Sequence, residues 1–144
     1  MFGLFGSAAF RDPQLGEFSR SRGAWRGTIT LGSGESVPLA LCGTRKEPDA
    51  AALVVARDLP RVFPSWRPAI AQALFEHAQP EAPEITSPDQ VWPRASLVFV
   101  SVAPLGGVLT TELGYATGWD EEHTLGARFQ SGELVELCGR VLSP

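Results

Sequence analysis

The chain predicts an α+β domain in which an antiparallel β meander, two helices and a second antiparallel β meander form one strongly bent sheet or two packed sheets. Three observations lead there. Residues 15–43 alternate apolar and polar side chains between glycine-bearing turns, as half-buried strands do. Residues 44–79 switch to a helical period, and from Ala95 the strand pattern returns. A length of 144 residues sets a single domain over 1–144, and a chain of this size buries roughly 70% of its unfolded surface. With 44% hydrophobic and 19% charged residues, a packed core needs no disulfide staple.

The first ten residues are largely apolar but broken by glycines and carry no basic leader region, so residues 1–14 are expected to dock as an N-terminal arm. Leu15–Phe18 opens an extended segment that Arg22-Gly23 turns. Trp25 to Leu31 then alternates up to Gly32-Ser33-Gly34. A three-residue loop there sets Ile29 opposite Val37, Gly27 opposite Leu39 and Trp25 opposite Leu41. That register gathers the apolar side chains on one face and leaves Arg26, Thr28, Thr30, Ser36 and Cys42 on the other. Pro38 lacks an N–H and belongs at an edge or a bulge.

Pro48 and Asp49 suit a first helical turn, and Ala52, Val55, Ala56 and Leu59 recur at helical spacing until Pro60 ends or kinks the run. Ser65 then caps a second helix with Trp66, Ile70, Ala73, Leu74 and His77 on one stripe. Residues 79–94 hold four prolines and are expected to wrap the fold as a loop, with Trp92 shaping a groove. Leu97–Val102 is apolar on both faces, as a central strand is. Gly106-Gly107 turns it into Val108–Tyr115. Beyond residue 123, a three-residue loop at Gln130-Ser131-Gly132 would set Ala127 against Val135 and Leu125 against Leu137. Ser-Gly-Glu leading to Leu-Cys-Gly occurs in both hairpins, a similarity that either an old duplication or shared turn chemistry explains.

Composition excludes several classes of partner. The net charge is −4 and the arginines are scattered, whereas nucleic-acid binding needs a basic stripe to displace counterions. No run approaches the roughly 20 apolar residues of a membrane span. Cys42 and Cys138 without a signal peptide suggest reduced thiols and a cytoplasmic protein. Phosphate-loop, dinucleotide and nucleophile-elbow motifs do not occur, so neither a cofactor nor a catalytic constellation is expected.

The densest polar cluster is Trp119, Asp120, Glu121, Glu122 and His123, which makes these residues the candidate site. Their oxygens and imidazole are the donors of hard or borderline divalent ions, and a carboxylate beside a histidine is raw material for acid–base chemistry. On an extended strand, however, Asp120 and Glu122 point one way and Glu121 and His123 the other, so no metal site is assigned. The hairpin register likewise sets Cys138 on the face opposite His123, which separates the nearest thiol from the imidazole. In the plainest reading Trp119 is buried, Asp120 accepts turn N–H groups and His123 donates to a carboxylate or carbonyl at the start of the strand.

Leu15-Gly16-x-Phe18 with Trp25-x-Gly27, and above all Trp119-Asp-Glu-Glu-His123-x-Leu125-Gly126, resemble an uncharacterised group of small bacterial domains. In that group a Trp-Asp-x-Glu-His-x-Leu-Gly segment precedes the last hairpin. The resemblance implies a single-domain cytoplasmic protein, of the kind that includes immunity-type binders, and it carries no activity. The expectation is therefore a non-enzymatic protein-binding module that uses the acidic loop on a protein partner. The alternative is a metal-assisted or acid–base enzyme using Asp120, Glu122 and His123.

Overall fold

A computed structural model describes residues 8–32 and 35–144. Eight strands form one sheet in sequence order: β1 (Ala9–Asp12), β2 (Gly16–Ser21), β3 (Ala24–Thr30), β4 (Ser36–Leu41), β5 (Ala95–Leu105), β6 (Val108–Thr117), β7 (Asp120–Gln130) and β8 (Glu133–Val141). Every ladder is antiparallel except β4–β5, which is parallel. That joint follows from the connection, because a helix α1 (Ala50–Ala78) crosses over between the two strands. The expected strongly bent sheet or packed pair is thus corrected to one open sheet with β1 and β8 at its edges. One helix long enough to cover a face removes the need for a second sheet. No helix among the described residues is long and apolar enough to cross a membrane.

The two helical stretches expected on either side of Pro60 are a single 29-residue helix. Pro60, Pro64 and Pro68 recur every fourth residue, which places all three on one exposed stripe. Pro64 and Pro68 leave without a donor the carbonyls of Pro60 and Pro64, which lie on that exposed stripe, so the helix tolerates prolines that would break a buried one; Pro60 does the same to the buried Ala56. Asp49 caps it by accepting from the Ala52 amide at 3.0 Å. Ser65, expected as a second cap, instead donates back to the Val62 carbonyl at 2.6 Å inside the helix. A second, 3-10 helix spans Pro88–Arg94, within the stretch expected to be an irregular wrap. Of the expected N-terminal arm, residues 1–7 lie outside the described residues, and Ala9–Asp12 form the edge strand β1.

The inner face of α1 carries Ala52, Leu53, Ala56, Leu59, Phe63, Trp66, Ile70 and Leu74, all buried. They pack on Trp25, Leu39, Leu41, Val100, Val102, Leu113, Leu125 and Phe129 of the sheet. Trp66 stacks on Phe129 at 4.0 Å between ring centroids, and the fully buried Trp25 donates its indole N–H to the Thr44 carbonyl at 2.8 Å. Ile29–Val37, Gly27–Leu39 and Trp25–Leu41 pair as the sequence predicts. Pro38 sits one residue before the β4–β5 ladder begins at Leu39, where its missing N–H breaks no bond to β5.

The first hairpin is tied to the helix by Asp12. This carboxylate is 1% exposed and accepts from the amides of Gln14 (3.0 Å) and Leu15 (2.8 Å), while Arg57 of α1 grips it through Nε (2.8 Å) and Nη2.

On the face away from α1 the register aligns Arg26, Ala40, Ser101, Glu112, Arg128 and Glu136 in one row. Arg128 lies between two carboxylates, bonded to Glu112 at 2.5 Å and Glu136 at 2.8 Å. These bonds, Glu112's first, push its guanidinium pKa further above the ordinary arginine range. The neighbouring row holds Phe99, whose fully buried ring covers Gly114.

The β7–β8 hairpin departs from expectation. Its loop is the two-residue pair Ser131-Gly132, both at positive φ (52° and 81°), and a register shift between Arg128 and Phe129 then pairs Ala127 with Leu137 and Gly126 with Cys138. Two central residues at positive φ match the twist of the flanking strands, which a three-residue loop does not require here. Serine is strained at that first position, whereas asparagine tolerates it. Ser131→Asn is expected to stabilise the protein by about 0.5 kcal/mol, seen as a higher denaturation midpoint with an unchanged slope.

Candidate functional site

The polar loop lies at the turn from β6 to β7, and the chain reaches it through a fixed anchor. The Gly118 amide donates to the Arg94 carbonyl at 2.8 Å, and Arg94 in turn holds Glu84 at 2.6 Å. Trp119 is 8% exposed, and its indole N–H donates to Nδ1 of His77 at 3.0 Å. That bond joins the turn to the last turn of α1 and fixes the tautomer of His77, with its proton on Nε2. Sequence spacing offered no sign of this contact, since the partners are 42 residues apart.

Strand parity fails at the next residues. Thr117 pairs with Asp120, but the following rung joins Ala116 to Thr124, so Glu121, Glu122 and His123 bulge out of the ladder. The bulge brings together two side chains that an unbroken strand would set on opposite faces. Nδ1 of His123 lies 3.0 and 3.1 Å from the two carboxylate oxygens of Asp120. Nε2 of the same ring accepts from Arg140 Nη2 of β8 at 3.1 Å. The shared arrangement is Asp120 carboxylate, neutral imidazole, Arg140 guanidinium, with the imidazole proton on Nδ1. His123 donates to a carboxylate as expected, but Asp120 uses its oxygens on the histidine, and no backbone N–H cap is found on it among the described residues.

Chemically, this chain has no free end. Both nitrogens of His123 are engaged, so its lone pair is not presented to a substrate. Cys138 donates to the Arg140 carbonyl at 3.3 Å. Cys42 is partly buried, which raises its thiol pKa and keeps it protonated. Among the described residues no group of three or more His, Cys, Asp or Glu side chains is placed to hold a metal ion. The outward groups of the corner are Glu121 and Glu122, both exposed and without hydrogen-bond partners among the described residues. Asp120 and His123 satisfy each other and set the bulge that pushes these two carboxylates outward.

Trp92, the other residue singled out by the sequence, is half-buried. Its ring tilts against Tyr115 at 6.1 Å, and the Arg67 guanidinium of α1 lies 4.2 Å from its centroid. A cleft of about 200 Å³ lies between α1, the β3–β4 end and the start of β5, lined by Trp92, Arg67 and Tyr115 among others. Neither Arg67 nor Tyr115 was visible as a site residue in the sequence, because Tyr115 sits at an ordinary buried strand position and Arg67 is a half-buried residue inside a long helix. Compared with protein-family models, with curated proteins and with solved structures, the chain matches none.

Proposed function

We propose that this protein is a non-enzymatic protein-binding module, of the immunity type, whose acidic corner takes a basic segment of a partner protein. The observation that carries the reading is the division of labour at the β6–β7 turn. Asp120, His123, Arg140, Trp119 and His77 are spent on one another, and Glu121 and Glu122 are held outward on a rigid bulge. Preorganised, uncompensated charge on a fixed backbone favours steering and register in protein recognition. The overall charge of −4 works in the same direction. The resemblance of Trp119–Gly126 to an uncharacterised group of small bacterial domains is the source of the immunity-type part of the reading.

The test is charge reversal. Glu121→Lys/Glu122→Lys is expected to leave the thermal midpoint within about 2 °C of wild type, because both side chains are solvated. It is also expected to abolish recovery of a basic partner by crosslinking in host extract and to remove the salt sensitivity of that recovery. A partner recovered equally well by the reversed variant would overturn the reading.

A further inference from the structure

The cleft beside Trp92 differs from the wider grooves of the molecule in one respect. Wider grooves run along α1 beside Trp66 and Phe129, with volumes of about 550 and 640 Å³, but none of their lining residues has a buried polar atom left without a partner among the described residues. The cleft beside Trp92 does. Tyr115 forms part of its wall, is 2% exposed, and its hydroxyl meets no hydrogen-bond partner among the described residues. A buried hydroxyl without a partner costs about 1–3 kcal/mol, so the residue on this wall carries a donor that still wants an acceptor.

The second polar group of the cleft is Arg67. Its guanidinium stacks on Trp92 and is paired with no carboxylate among the described residues. Stacking holds the fork in one plane while leaving its N–H edge free, the geometry in which arginine takes a carboxylate. Burial raises the Tyr115 phenol pKa well above its ordinary range, and Arg67 opposes that only in part, so the hydroxyl stays a donor throughout the neutral range. The acidic side chain on the lining, Glu35, is exposed to water and does not neutralise the half-buried Arg67. Leu31, Val37, Phe63 and Leu97 supply the apolar part of the walls, beside the exposed Ser96.

We propose that this cleft is a binding site for a small organic carboxylate, whose oxygens accept from the Tyr115 hydroxyl and the Arg67 guanidinium while its short apolar body lies against Val37, Phe63 and Trp92. The site is separate from the acidic corner, is of opposite charge preference, and stands whether or not that corner takes a partner. At about 200 Å³ the cleft is smaller than a drug-sized pocket, which limits its ligand to a short carboxylate.

Tyr115 is the single tyrosine of the chain, so tyrosine labelled with ¹³C at Cζ gives one resonance that reports on this hydroxyl. Titration with acetate, butyrate and benzoate is expected to shift that resonance saturably for at least one of them, while butyramide, the neutral counterpart of butyrate, leaves it in place. Calorimetry with the best carboxylate is expected to show about tenfold weaker binding for Tyr115→Phe and for Arg67→Gln, the loss of one hydrogen bond to a charged group in each case. Arg67→Gln keeps the test decisive should Tyr115→Phe pack poorly. A resonance that moves for none of the three carboxylates, an equal response to butyramide, or unchanged affinity in both variants would each overturn the proposal.

Discussion

Gly114→Val is expected to destabilise the fold by about 3 kcal/mol, among the largest effects available to a single added side chain here. A Cβ built on Gly114 would sit 2.1 Å from Cε2 and 2.4 Å from Cδ2 of Phe99, and that ring is fully buried, with no open side to swing into. Glycine is therefore required in β6 because a ring from β5 lies flat on its backbone, and not because of any turn. The cause can be separated from the loss of a good strand conformation by a cycle. Phe99→Ala alone leaves a cavity, and the double variant Phe99→Ala/Gly114→Val is expected to recover at least about 1 kcal/mol relative to the sum of the singles. Urea denaturation of the four proteins checks it. Strict additivity would show that the two positions do not press on each other.

Asp12→Asn is expected to cost about 2 kcal/mol at neutral pH, and the cost is expected to fade in acid. Arg57's hydrogen bonds, more than the Leu15 and Gln14 amides, hold the Asp12 carboxyl below its ordinary pKa, against a smaller opposing effect of burial. A carboxylate whose folded-state pKa is depressed contributes stability that is complete above its unfolded value of about 4 and is lost as pH falls through the folded one. The wild-type advantage over Asp12→Asn should thus be constant from neutrality to about pH 5 and shrink below about pH 4. Arg57 is 39% exposed on its side chain and can turn to water when its partner is neutral, which is why the expected cost stays below that of a fully buried pair. Denaturation midpoints across the acid range decide it. A difference that persists undiminished into strong acid would assign the cost to packing and not to charge.

The register of β3 and β4 was legible because one face is buried, and a slip of one residue would have exposed Trp25 and Leu41. The helical span was legible from its period, but its continuity was not. Pro60, Pro64 and Pro68 act as breakers on the scale of a few residues and become harmless only once the tertiary fold shows which stripe faces water. The three-residue turn assumed for β7–β8 failed because Ser131 adopts a conformation more usual for asparagine or glycine. At the candidate site, Trp119 and His123 were found by composition. Their partners His77 and Arg140 come from other elements and leave no local trace. The bulge that unites Asp120 with His123 reverses the parity inferred from an ideal strand, and nothing in the run Asp-Glu-Glu-His marks where a ladder skips.

The single parallel joint between β4 and β5 has a consequence for how the chain assembles. Each half of the sheet is a run of neighbouring hairpins that closes through short loops, so each half forms with little entropic cost. The halves meet only when Leu39–Leu41 finds Val100–Val102 across the whole of α1 and the 3-10 helix. Docking of that helix on both halves at once is expected to be the late, cooperative event, since without it each half would be a four-stranded sheet with a bare apolar face. Co-translational exposure of the first half, until residue 102 has left the ribosome, is the interval in which this protein is most open to aggregation.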